Sequence, residues 1–290
     1  MKGDEMIRIA GFFRYLKRNP RLAVGLSFVL ILVLFSGLGS LLVPGERAYP
    51  LATTPNQRPS LQYPFGTDSQ GRDLLAAVIK GTYLTSRIGF TAGAIGLGIG
   101  IMLGFLSAYY GGLLDTIIRW VVDVLLTVPG LLVLVVIAST IRKGMNVNSM
   151  ALVVSILAWM WPTRTIRSQV LTLRERAFVR VAKLSGMSDL EIIFKELMPN
   201  LLPFLGAGFV GSVTSGIFAS LGLEALGLGP MREPTLGMTI YWVMYYGAFI
   251  RGMWWWILAP ILVIVILFVA LFLVSSGLDE LANPRVRRAV

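Results

Sequence analysis

The chain has 290 residues, of which 56% are apolar and only 14% charged, and its mean hydropathy is +0.75. In soluble proteins about a quarter of residues carry charge, so this composition argues against an ordinary soluble domain. The formal charge of +11 comes without a basic stripe interleaved with aromatics, which argues against nucleic acid. The absence of Cys and His excludes a Cys/His zinc site, a thiol nucleophile and a His-based triad, and no G-x-x-x-x-G-K-[ST] phosphate loop is present.

Residues 1–21 come first. Ile9, Phe12, Phe13 and Leu16 share one face, with Arg8, Arg14, Lys17 and Arg18 around it. This pattern predicts a basic amphipathic helix lying in a membrane interface, ended by Asn19-Pro20. Six apolar runs follow, at 22–42, 86–110, 116–141, 148–166, 201–221 and 254–276. Each is near the roughly 20 residues that cross a bilayer. The first is too long for a signal-peptide core and has no small-residue cleavage site behind it. The expected class is an all-α membrane protein with six transmembrane helices. Its expected divisions are 1–21, then 22–85 (first span and outer loop), a core over 86–276 and a tail over 277–290. The core includes an inner loop at 168–200 and an outer loop at 222–253. With the N-terminus inside, most Lys and Arg fall on inner segments, so the positive-inside bias predicts both termini in the cytoplasm.

Residues 43–85 are rich in Pro, Gly and Asn and show little periodicity. Tyr63 to Asp73 reads as a turn in which Gly66 and Gly71 supply unusual dihedrals, with or without a functional role. The second span carries Ala92, Gly96, Gly100, Gly104 and Ala108 at i+4 spacing. Such a stripe of small residues lets another helix approach closely. Arg119 and Asp123 lie one turn apart and are expected to pair at the inner mouth, leaving no bare charge in lipid. Pro129 is expected to kink the third span, and Pro162 and Arg164 interrupt the fourth.

The segment from Phe178 to Pro199 is a charged island between two apolar spans. It reads as two short helices joined at Gly186, which suits a left-handed helix end. Ser188 with Glu191 forms a capping box, and Asp189 adds negative charge to the first turn. Leu190, Ile193, Phe194 and Leu197 fall at i, i+3, i+4 and i+7, one apolar stripe, and Pro199 is expected to stop the helix. Such a stripe suits either a groove in a cytosolic partner or the surface of lipid or of its own bundle. Further on, 236–250 is apolar and aromatic but too short to span, and reads as an interfacial or re-entrant helix. Its Tyr241, Trp242, Tyr245 and Tyr246 form either a headgroup-level belt with Trp254-Trp255-Trp256 or a wall at the substrate entrance.

These residues carry a resemblance. Arg180-Val181-Ala182, then Gly186, Ile192-Ile193 and Met198-Pro199-Asn200 resemble the cytoplasmic loop of ABC-importer permeases, which usually reads Glu-Ala-Ala, Gly, Ile and Leu-Pro. Here Arg180 stands where the family commonly has Glu, Val181 where it has Ala, and Met198 where it has Leu. Pro64-Phe65-Gly66-Thr67-Asp68 with Gly71-Arg72-Asp73, Tyr109 to Gly112 with Asp115, and Asn283-Pro284-Arg285 resemble the dipeptide/oligopeptide subfamily. More narrowly they resemble its C-type subunit, which has the longer first outer loop. Tyr63 replaces the family's usual His there, and Asn283 its Asp.

The resemblance implies the type I importer permease fold with a cytoplasmic coupling helix. It implies a homologous second permease, two cytosolic ATPases that bind ATP and Mg, and an extracytoplasmic binding protein, with no cofactor in this chain. Arg180, Ala182, Gly186, Ser188, Asp189, Leu190, Glu191, Ile193, Phe194, Leu197 and Pro199 would form the ATPase-coupling element. The cargo it implies is an oligopeptide or small oligosaccharide. Nickel is disfavoured by the lack of imidazole. Asp68, Asp73 and Glu233 on the outer side either attract a peptide amine or are simply solvated loop carboxylates. A secondary transporter would show inverted repeats and broken helices at mid-membrane, and none is visible.

Overall fold

The computed structural model describes residues 16, 18–141 and 144–282. The helix expected over 1–21 falls, but for its last residues, outside the described residues, as do Arg142, Lys143 and the Asn283-Pro284-Arg285 ending. Among the described residues the chain is helical, without a strand; an isolated bridge joins Thr67 to Asp73.

Helix α1 (Pro20–Leu42) opens at Asn19, whose side chain accepts a hydrogen bond from the Leu22 amide. Pro20 sits at the first helical position, where its missing N–H costs nothing. Helix α2 (Leu74–Tyr110) runs unbroken for 37 residues. It starts twelve residues earlier than the apolar run at 86–110, inside the stretch expected as loop. The reason is local: Asp73 caps it by accepting from the Leu75 amide, and Leu74 to Ile79 bury an apolar first turn and a half.

Helices α3 (Gly112–Thr127) and α4 (Gly130–Ser139) meet at 84°. Pro129 forces the break: it lacks an N–H and pushes Val128 into an extended conformation. The run at 148–166 is divided at Trp159 between α5 (Val147–Ala158) and α6 (Met160–Arg174). Then come α7 (Ala177–Leu184), the short α8 (Asp189–Glu191), a π-helical turn (Ile192–Leu197) and α9 (Met198–Ala225). Helices α10 (Leu236–Tyr245) and α11 (Trp254–Ala282) complete the chain. Among the described residues, four helices are long and apolar enough to cross a membrane, or five if α3 and α4 count as one bent span. The expected span not counted among these is the fourth, at 148–166, which is divided between α5 and α6.

Helix α2 is the hub, packed on α1, α5, α6 and α9. Its glycine stripe faces the α5–α6 junction. A Cβ at Gly96 would lie 2.5 Å from the Ala158 Cβ, and one at Gly100 2.5 Å from the Pro162 Cβ. At Gly104 it would lie 3.0 Å from the Ile166 side chain. Hydrogen exchanged for a methyl at these points removes the seam, because lipid offers no hydrophobic drive to compensate lost backbone contact.

Candidate functional site

At the end of the bundle that carries Arg21, Arg174 and Lys195, the loop between α6 and α9 is built from caps. Helix α7 closes in a Schellman arrangement. The Met187 amide donates to the Ala182 carbonyl (3.2 Å) and the Gly186 amide to the Lys183 carbonyl (3.1 Å), with Gly186 at φ +80°. The next turn starts with the capping box: the Glu191 amide donates to the Ser188 hydroxyl and the Ser188 amide to the Glu191 carboxylate. Lys195 adds an exposed ion pair to Glu191 at 2.7 Å.

The apolar stripe does not sit as its spacing predicts. Ile193 and Leu197 are buried, together with Ile192, against Ile166, Val170, Val179 and Leu201 of the chain's own bundle. Leu190 and Phe194 are 61% and 59% exposed. The cause is the π-helical turn, in which the Met198 amide donates to the Ile193 carbonyl five residues back. That register sets Ile192 and Leu197 on one line and turns Leu190 and Phe194 outward. Pro199 does not stop the helix either. It occupies the first turn of α9, which runs on to Ala225. The wider turn before it leaves room for a ring that would strike the carbonyl four residues back in a regular α-helix.

Side chains distant in sequence fasten this loop. The Tyr109 hydroxyl donates to Asp189 at 2.6 Å, and Arg174 donates to the Ala108 and Tyr109 carbonyls at 2.8 and 3.0 Å. Ala182 is buried beneath the loop, whereas Arg180 points to the exterior and makes no ion pair among the described residues. Exposed Val181 and Leu184 extend the apolar surface next to Leu190 and Phe194 in sequence. Tyr109 was missed as an anchor because its partner lies 80 residues away, beyond any local pattern.

The expected Arg119–Asp123 pair is not formed. Asp115 instead takes a two-pronged bond from Arg167 of α6, Nε at 2.5 Å and Nη2 at 2.6 Å, and a short bond from the Ser107 hydroxyl. The cation nearest Asp123 is Arg164, with Nη1 at 3.9 Å. Both partners come from α6, since α3 and α6 pack side by side and a neighbouring helix offers a straighter approach than the next turn. A cavity of about 160 Å³ lies between them, lined by Arg119, Val122, Asp123, Thr163, Arg164 and Arg167.

At the opposite end, the loop over 43–73 is tightly knit. Asp68 accepts from the Gln70 and Arg72 amides, each at 2.8 Å, and from Arg72 Nε at 2.6 Å, with both side chains buried. The Arg72 guanidinium stacks over Trp242, and the Trp255 indole donates to the Thr67 carbonyl. Asp73 is buried as the α2 cap. Burial pushes its carboxyl above the ordinary carboxylate range, partly offset by the Leu75 and Ala76 amides and Arg47. Asp68 and Asp73 therefore build the loop and present no carboxylate to an arriving amine. Glu233 accepts from the Tyr49 hydroxyl at 3.3 Å. Of Tyr241, Trp242 and Tyr245 on α10 and Tyr246 at its C-cap, Tyr245 alone is exposed. Tyr241, Trp242 and Tyr246 are half-buried, with Trp242 and Tyr246 packed against Trp256 and the loop.

Comparison with known proteins gives a consistent set of matches. Residues 96–288 match the family described as binding-protein-dependent transport system inner membrane component. The chain is 30% identical over 231 residues to the oligopeptide transport system permease protein OppC of Mycobacterium tuberculosis, covering 80% of this chain and 79% of the relative. It is 30% identical over 288 residues to the dipeptide transport system permease protein DppC of Haemophilus influenzae, covering 96% and 95%. For DppC of Bacillus subtilis the identity is 29% over 276 residues, 95% and 85% of the two chains.

Proposed function

Since this chain belongs to the family of binding-protein-dependent transport system inner membrane components, we propose that it is one of two homologous permeases that together enclose an import path. Two cytosolic ATPases drive the pair, and an extracytoplasmic binding protein delivers the cargo. The cargo is an oligopeptide or dipeptide, in keeping with the names of the OppC and DppC relatives. An oligosaccharide is the second reading: Tyr245 offers an exposed ring at the outer mouth, whereas Trp242 and Tyr246 are taken up by packing. The location is the cytoplasmic membrane, with the Arg21/Lys195 end inside by the positive-inside rule. ATP and Mg are bound by the partner ATPases.

One observation carries this reading: Leu190 and Phe194 stand bare on the same turn whose Ile192, Ile193 and Leu197 are locked into the bundle, with exposed Val181 and Leu184 beside them in sequence. Burying them in a groove contributes at most about 1.5–3 kcal/mol each, enough to dock a short capped helix. Because Ile192, Ile193 and Leu197 clamp the same turn to α6 and α9, a push on Leu190 and Phe194 is delivered to the membrane helices. Phe194→Asp is therefore expected to leave membrane insertion and folded yield unchanged and to separate ATP hydrolysis from uptake in reconstituted vesicles. Wild-type coupling in that variant would remove the loop from the mechanism.

A further inference from the structure

Helix α3 carries Asp115, Arg119 and Asp123 at four-residue intervals, hence along one face, and α6 brings Arg164 and Arg167 against it. The near end of this ladder is closed, since Asp115 is fully engaged by Arg167 and Ser107. The far end is open. Arg119 is exposed and makes no hydrogen bond or ion pair among the described residues. Arg164 is also exposed, and its 3.9 Å approach to Asp123 is too long for a hydrogen bond. Two under-used guanidinium groups and one carboxylate thus border the 160 Å³ cavity. Asp123 lies eight residues past Asp115, about 12 Å along the axis, within a bent pair apolar enough to span. Charges at such depth face protein or water and not lipid tails.

Resting on the permease reading above, we propose that Arg119 and Arg164 form a carboxylate-binding station on the inner half of the import path, engaging the C-terminal carboxylate of a passing peptide. A guanidinium fork matches a carboxylate in two-pronged geometry. Loose prior engagement lets the ligand arrive and leave without breaking a strong internal pair. Asp123 lines the same cavity and offsets part of the mutual repulsion of the two cations. The other source of an anion, an inner-leaflet phosphate, would have to descend past the closed Asp115–Arg167 pair.

The transporter complex, purified through a tag on this chain, is reconstituted in phosphatidylcholine with and without phosphatidylglycerol. Binding of trialanine and of trialanine amide is then measured for the wild type, Arg119→Gln, Arg164→Gln and Arg119→Lys. The Gln variants are expected to bind trialanine about tenfold more weakly, the loss of one charge-assisted hydrogen bond. Their affinity for the amide should stay at the wild-type value, Arg119→Lys should recover only part of the loss because an ammonium keeps the charge without the fork, and neither lipid should matter. Equal losses for both peptides, or none, would overturn the station. A change confined to retained phosphatidylglycerol would assign the anion to lipid instead. A wild-type complex that binds neither peptide sinks the cargo class along with the station, whereas tight binding indifferent to the Gln variants sinks the station alone.

Discussion

The loops at the two ends of the bundle use similar residues to opposite ends. Over 43–73, an acid and a base four residues apart, Asp68 and Arg72, turn inward and are buried, with backbone amides filling the remaining acceptor sites. Over 176–199, an acid and a base at the same spacing, Glu191 and Lys195, turn outward into solvent, and Val181, Leu184, Leu190 and Phe194 turn outward with them. A loop organised around a buried ion pair is a scaffold. One that pairs its charges in solvent and hides only part of its apolar stripe leaves Leu190 and Phe194 open for the contact proposed above.

Removing the buried acid breaks this contrast most severely. Asp68→Ala strands a guanidinium in the protein interior, and loss of one partner of a buried pair costs about 3–5 kcal/mol. A large drop in melting temperature in detergent is expected, and a shift no bigger than that of an exposed-pair variant would show that the loop does not depend on it. Loss of the cap at the other end is milder. Ser188→Ala should cost about 1 kcal/mol and act locally, so hydrogen exchange of the amides from Asp189 to Leu197 should quicken while α2 and α11 stay protected. Smallest is Lys195→Ala, because an exposed pair contributes little in water. Its melting temperature should match the wild type, and a measurable loss would mean that the pair is covered in the working assembly.

The sequence made some of this visible and hid the rest for physical reasons. The capping box of Ser188 and Glu191, the left-handed Gly186 and the break at Pro129 are short-range effects, and each lies where its local chemistry puts it. The stripe of Leu190, Ile193, Phe194 and Leu197 was drawn on a regular helix. Inserting a π-helical turn rotates half of it into the bundle, and only the surrounding packing selects that turn. Partners for Asp115 and Asp123 lie on a helix some fifty residues on in the first case and some forty in the second, so spacing along α3 alone offered the wrong cation. The early start of α2 was readable in Asp73 as a cap, but the Pro, Gly and Asn content and weak periodicity of 43–85 made the stretch read as loop.

Helix α2 begins at a cap set in one of these loops and carries in its last turn Tyr109, whose hydroxyl holds Asp189 in the other. Its 37 residues make a rod of about 55 Å with no proline in it. Stiff along its axis, such a strut lets neither clamp shift by itself, so a tilt given to the Asp189 end must reappear under the buried Asp68–Arg72 knot.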